Sequence, residues 1–143
     1  MQYFTTEPTI TFEAARAVLD AAAQHARSLG VPVCIAVAGR AGHLVTFARM
    51  DGAPLLSAQL AQDKAYSVAA FAGVPTHEWW NMIAEEPPLL HGIVKTDRLI
   101  VFGGGVPVHA EGTLIGAVGI SGGSAEQDRA VAEAGARAIG PPA

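Results

Sequence analysis

The sequence predicts an α/β protein of the α+β kind, an antiparallel sheet with helices packed against it. Three observations predict it. Strand-like runs come in neighbouring pairs joined by turn-length connections, residues 31–38 with 43–50 and residues 106–108 with 113–120. Helical apolar spacing lies before, between and after these pairs. Strands also do not alternate singly with helices, the order that would favour a doubly wound parallel sheet.

Along the chain, residues 1–10 lack strong periodicity and read as a tail or an oligomer arm. Thr11 is a plausible N-cap, and Ala15, Val18, Leu19, Ala22, Ala26 and Leu29 then trace one helical face that ends at Gly30. His25 rides on this helix. Residues 31–38 form a strand too apolar to have a fully wet face. After the turn at Gly39-Arg40-Ala41-Gly42, residues 43–50 return as its hairpin partner.

Asp51-Gly52-Ala53-Pro54 breaks the pattern, and residues 57–72 read as a helix whose face of small residues carries Lys64 near its centre. Such a lysine either snorkels to solvent or turns its ammonium into a pocket. Thr76 caps a short helix through Glu85. Trp79 and Trp80 are adjacent and cannot point the same way, so one faces the core and the other a partner or ligand. Glu85-Glu86-Pro87-Pro88 is expected to force a loop, with His91 near it.

Residues 99–124 hold two apolar segments around a polar turn, Ala110-Glu111-Gly112, with glycines clustered at Gly103–Gly105 and Gly122–Gly123. The second hairpin arm runs into Ser121-Gly122-Gly123-Ser124, which opens the last helix. Ser124 and Gln127 have capping-box spacing. Glycines at a strand-to-helix junction either let backbone N–H groups converge on an anion or simply make a tight turn.

At 143 residues the chain fits a single domain, placed at residues 11–140 with a C-terminal tail at 141–143. Half the residues are hydrophobic and 15% are charged, which argues against disorder and, with so few groups to cover the surface, favours a homo-oligomer. A net charge of −4 without a basic run argues against nucleic acid. No stretch reaches the ~18 apolar residues of a membrane span, and residues 1–11 lack a signal-peptide pattern, so a cytoplasmic location is expected. The lone Cys34 reads as a small buried hydrophobe.

The five histidines show no zinc spacing, no nucleophile elbow surrounds Ser121, and Gly103-Gly104-Gly105 is no dinucleotide fingerprint. What remains is a candidate acid-binding cleft: Arg49 and Lys64 as partners for a carboxylate or haem propionate, and Ser121, Gly122 and Gly123 as backbone donors. Arg49 pairing with Asp51 at the surface is the bland alternative. A histidine such as His25 could ligate haem iron or could equally be an ordinary surface group.

The segments VPVCIAVAGRAGHLVTFARMDGA, SAQLAQDKAYSVAAFAG and VFGGGVPVHAEGTLIGAVGISGGSAEQD together resemble the GlcG/HbpS-like haem-binding (haem-degrading) family, which includes the PduO C-terminal domain. The likeness spans nearly the whole chain. It implies an antiparallel sheet of about five strands backed by helices, symmetric oligomers that are often hexamers or octamers, and haem as cofactor in some relatives. An N-terminal-helix histidine has been proposed as axial ligand in PduO-type relatives; His25 is the nearest candidate here.

Three readings follow. The leading one is a haem- or tetrapyrrole-binding protein with His25 on the metal and Arg49 and Lys64 on the propionates. The second is an enzyme (isomerase, lyase or hydratase) acting on a small carboxylated metabolite, with Lys64 as base or anchor, Arg49 as clamp and the Gly122–Ser124 turn as anion seat. The third is an oligomeric scaffold without catalysis.

Overall fold

The computed structural model describes residues 1–142. In chain order its elements are α1 (Phe12–Leu29), β1 (Cys34–Gly39), β2 (Leu44–Arg49), α2 (Leu55–Ala70), a 3-10 turn (Thr76–Glu78) leading into α3 (Trp79–Ile83), α4 (Pro87–Ile93), β3 (Gly105–Ala110), β4 (Thr113–Ser121) and α5 (Ala125–Arg137). The strands form one sheet in the order β2-β1-β4-β3, antiparallel throughout.

The sheet has four strands among the described residues, not the expected five or so. The apolar run before β3 does not extend it. Arg98 takes a left-handed φ of 64°, and the chain after it is tied to α2, because Ile100 N–H donates to Ser67 Oγ at 2.9 Å. The run therefore lies along α2 instead of alongside β4. Of residues 85–88, all expected in a loop, Glu85 and Glu86 lie outside any helix, whereas Pro87 and Pro88 are helical. Pro87 opens α4, since proline's fixed φ and missing N–H suit a first helical turn. His91 lies on that helix.

Both faces of the sheet are covered, which is why β1 has no wet side. Ile35 and Val37 point toward α1 and α5, in one core with Val18, Ala22, Val118 and Val131. Cys34, Ala36 and Ala38 alternate to the opposite face and meet Ala61 and Ala65 of α2. α1 is held at its ends by Thr11, whose Oγ1 accepts from Ala14 N–H, and by Gly30 at φ 70°. The tryptophans separate as the geometry requires: Trp79 is buried against Phe71, while Trp80 is exposed.

α2 lies unusually close to the sheet. A side chain at Gly119 would run into the Ala61 carbonyl oxygen and stand 2.6 Å from the Ala65 nitrogen. The alanines of α2 and the glycines of β3 and β4 are thus matching halves of one contact. At that contact Lys64 enters the interior.

Candidate functional site

Lys64 does not snorkel. It is 1% exposed, and its stem crosses Gly104, where a Cβ would lie 3.0 Å from Lys64 Cδ and 2.6 Å from Nζ. Nζ donates to the Ile120 carbonyl at 2.7 Å and to Asp128 Oδ2 at 3.1 Å. Asp128 is buried in the first turns of α5, and its Oδ1 accepts from Gly123 N–H at 2.9 Å. One carboxylate therefore joins α2, the end of β4 and the start of α5.

Burial pushes the Lys64 ammonium below its usual range, and the Asp128 carboxylate, by charge and hydrogen bond, opposes that fall. Taking a lysine out of water is tolerable here only because the partner is equally buried and hydrogen-bonded.

An open cleft of about 290 Å³ lies beside this pair, lined by Lys64, Leu60, Phe102, Ser121, Gly122 and Gly123. The Phe102 ring, half-exposed, stands 5.2 Å from Nζ and covers the ammonium on one side. Of the expected site residues, the structure brings together Lys64, Ser121, Gly122 and Gly123. The backbone donors at the α5 entrance are largely engaged within the chain. Gly123 N–H serves Asp128, Ser124 N–H donates to Gln127 Oε1 at 3.0 Å, and Gln127 N–H donates to Ser124 Oγ at 3.1 Å.

Arg49 does not line this cleft. Its Nε and Nη2 donate to the Ala53 carbonyl at 3.1 and 2.8 Å, pinning the turn that leads into α2. It forms no ion pair with Asp51 among the described residues. Burial raises the nearby Cys34 thiol, with the Arg49 charge opposing that rise.

His25 sits on the other side of the sheet from Lys64, since α1 packs on the face opposite α2. Half-buried, it lines a shallow hollow of about 270 Å³ with Ala21, Gln24, Ser28 and Ala134. Its ring makes no hydrogen bond among the described residues. A group held by His25 would not reach Lys64.

Two features of the cleft escaped the sequence reading: Asp128, which reads only as a favourable first-turn acid, and Phe102, hidden in an apolar run. The small-residue stripe around Lys64 was the one signal that the lysine is enclosed.

The family model for haem-degrading HbpS-like proteins matches residues 10–137. An uncharacterised 15.0 kDa protein in the dhaT–dhaS intergenic region of Citrobacter freundii is 38% identical over 127 residues, covering 87% of this chain and 88% of that one. Among solved structures, the Klebsiella pneumoniae protein ORFY superposes with a TM-score of 0.89 at 34% identity, covering 97% of this chain and 96% of that one. A PduOC–haem complex superposes at 0.82 with 33% identity, covering 92% and 95% of the two chains. By sequence and by fold, the chain belongs to the GlcG/HbpS-like family.

Proposed function

We propose that the protein binds haem or a closely related tetrapyrrole, with His25 as the axial ligand. The observation that carries this is the state of the His25 ring: held on a long helix, partly open to solvent and free of hydrogen bonds among the described residues. Such an imidazole can present a nitrogen to iron without breaking any internal contact. The small residues Ala21 and Ala134 leave room beside it. The haem complex of the similar PduOC chain supports the same reading.

The surroundings fit a macrocycle on one face only. The hollow is shallow, so a single chain would leave the far face of a tetrapyrrole in water. A second copy of the chain would supply the other wall, which makes a homo-oligomer, a hexamer or octamer as the family resemblance implies, part of the proposal. Arg49 and Lys64 are not propionate partners in this reading, because Arg49 holds the Ala53 carbonyl and Lys64 holds Asp128 and the Ile120 carbonyl. Bound haem would supply its iron centre; this chain would hold it through the His25 imidazole, beside the small Ala21 and Ala134 and the polar Gln24 and Ser28.

Haem titration of the purified protein tests this. A saturable, red-shifted Soret band that His25→Ala weakens is expected, together with a native mass of several chains. A spectrum identical to free haem removes the proposal.

A second reading, an enzyme acting on a small carboxylated metabolite, keeps one specific support: the buried Lys64–Asp128 pair borders an open cleft rather than lying in a sealed core. To act as a base it must first release Asp128. A screen of short hydroxy- and keto-acids for turnover checks this. Turnover abolished in a Lys64→Met variant that keeps the parent's circular dichroism supports it, and turnover unaffected by that change removes it.

A further inference from the structure

The sheet ends in β3 on one side and β2 on the other, and the two edges are built differently. Ile120 N–H donates to the Gly104 carbonyl at 2.8 Å, and the alternation along β3 from that pair turns the backbone of Gly105 and Pro107 outward. Proline brings no N–H, so this edge lacks a donor at Pro107. The C-terminal segment also lies against it, since a Cβ at Gly140 would stand 2.8 Å from the His109 carbonyl oxygen. The chain itself closes β3 to a further strand.

β2 has no such guard. Met50 N–H donates to the Val33 carbonyl at 3.0 Å, which turns the N–H and C=O of Phe47 and Arg49 away from β1. No backbone bond from another segment reaches these groups among the described residues. Leu44–Ala48 hold no proline, glycine or charge, and Leu44 and Phe47 are 51% and 37% exposed. The Arg49 side chain is tied back to the Ala53 carbonyl. An open edge of this composition is a template for another strand.

The flanks of β2 select the strand that fits. His43 and Asp51 lie four residues to either side of Phe47, and both are exposed. Asp51 forms no ion pair among the described residues. Two copies of β2 laid antiparallel, with the twofold axis at Phe47, match the outward backbone groups of one copy to those of the other. The same register sets His43 of each copy level with the partner's Asp51, an imidazole against a carboxylate, twice by symmetry. An axis at Arg49 would instead set two guanidinium groups side by side, which like charges resist.

We propose that β2 is an interface between two copies of this chain, its edge pairing antiparallel with the partner's β2 about Phe47 and joining two four-stranded sheets into one. The contact is isologous, each copy offering the same strand. It is separate from the wall proposed at His25, and it forms without haem.

The test uses the full chain without haem. Native mass over a dilution series reports association, and hydrogen exchange of the peptide holding residues 44–49 reports where it occurs. As association proceeds, the two outward amides, those of Phe47 and Arg49, should become protected while residues 105–110 stay unchanged. His43→Asp sets carboxylate against carboxylate at two places in the pair and should weaken association by about tenfold. Adding Asp51→Lys to that variant should restore it. His25→Ala, which removes the proposed haem ligand, should leave association intact, so the two proposals fail separately. Exchange at residues 44–49 that is independent of concentration overturns the β2 contact, whatever the native mass. So does association undisturbed by His43→Asp. Protection of this edge that is lost when Tyr3→Ser and Phe4→Ser are combined would give the edge to the N-terminal arm of a neighbouring copy, and it overturns the strand pairing as well.

Discussion

Lys64 of α2 and Asp128 of α5 form a buried ion pair at 3.1 Å, joining helices that pack on opposite faces of the sheet. Their side chains are 1% and 4% exposed, so neither charge has water to fall back on. Removing one partner strands the other, and the loss should approach the ~3–5 kcal/mol of a broken buried pair. Urea unfolding of Lys64→Met and of Asp128→Asn should each show a loss of that order. The double variant should recover roughly 1–3 kcal/mol relative to the sum, because the introduced asparagine would still accept from Gly123 and no unpaired charge would remain. Additive losses would show that the two residues act separately.

The close seating of α2 makes Gly119 the least replaceable position on the sheet. A methyl group there meets the Ala61 carbonyl and the Ala65 nitrogen, both backbone atoms that cannot rotate away, and lies 3.1 Å from Lys64 Cβ. Gly119→Ala should destabilise by about 1–3 kcal/mol or more, the range for overpacking. Gly112 offers the contrast within the same hairpin, since nothing lies within 4 Å of its added Cβ. Its φ of 79° still disfavours alanine, so Gly112→Ala should lose roughly 1 kcal/mol, through backbone strain alone. Thermal unfolding of the two variants separates packing from strain.

Most of the fold was legible because its signals are local. The α1 cap at Thr11, the stop at Gly30 and both hairpins follow from turn chemistry and periodicity within a dozen residues. α4 was not legible, because Pro87-Pro88 reads as a breaker unless the chain enters a helix just there. The course of the run before β3 was not legible, because its tie to Ser67 of α2 is a contact between distant residues, invisible to periodicity. The site divided in the same way. Lys64 stood out by its alanine neighbours, whereas Asp128 resembled any first-turn acid, since its partner lies 64 positions away. Residue type alone groups Arg49 and His25 with Lys64, but the sheet keeps His25 away from it.

The entrance to α5 rests on reciprocal bonds between Ser124 and Gln127, at 3.1 and 3.0 Å. Ser124→Ala removes the side-chain acceptor and should cost about 1 kcal/mol, as N-cap losses do. The same change leaves the Gln127 N–H without its side-chain acceptor. Unfolding free energies of Ser124→Ala and of Ser124→Asp should differ, since aspartate restores an acceptor and favours the positive helix end. Equal losses in both variants would mean that the cap contributes little.

His77 gives the chain an acid-sensitive position. Its folded-state pKa lies below the ordinary value of 6.5, chiefly because burial disfavours the imidazolium and secondarily because Arg129 repels it, with Glu78 and Glu133 pulling the other way. Between the folded value and 6.5, the unfolded chain binds more protons at this position than the native one. Stability from His77 is therefore fully present above pH 6.5, and it falls as pH drops through that window. Below the folded value both states are protonated and the loss stops growing. His77→Gln removes the titration, so its unfolding free energy should decline less between neutral and mildly acidic pH than that of the parent chain. Parallel declines in the two proteins would show that other groups govern the acid response.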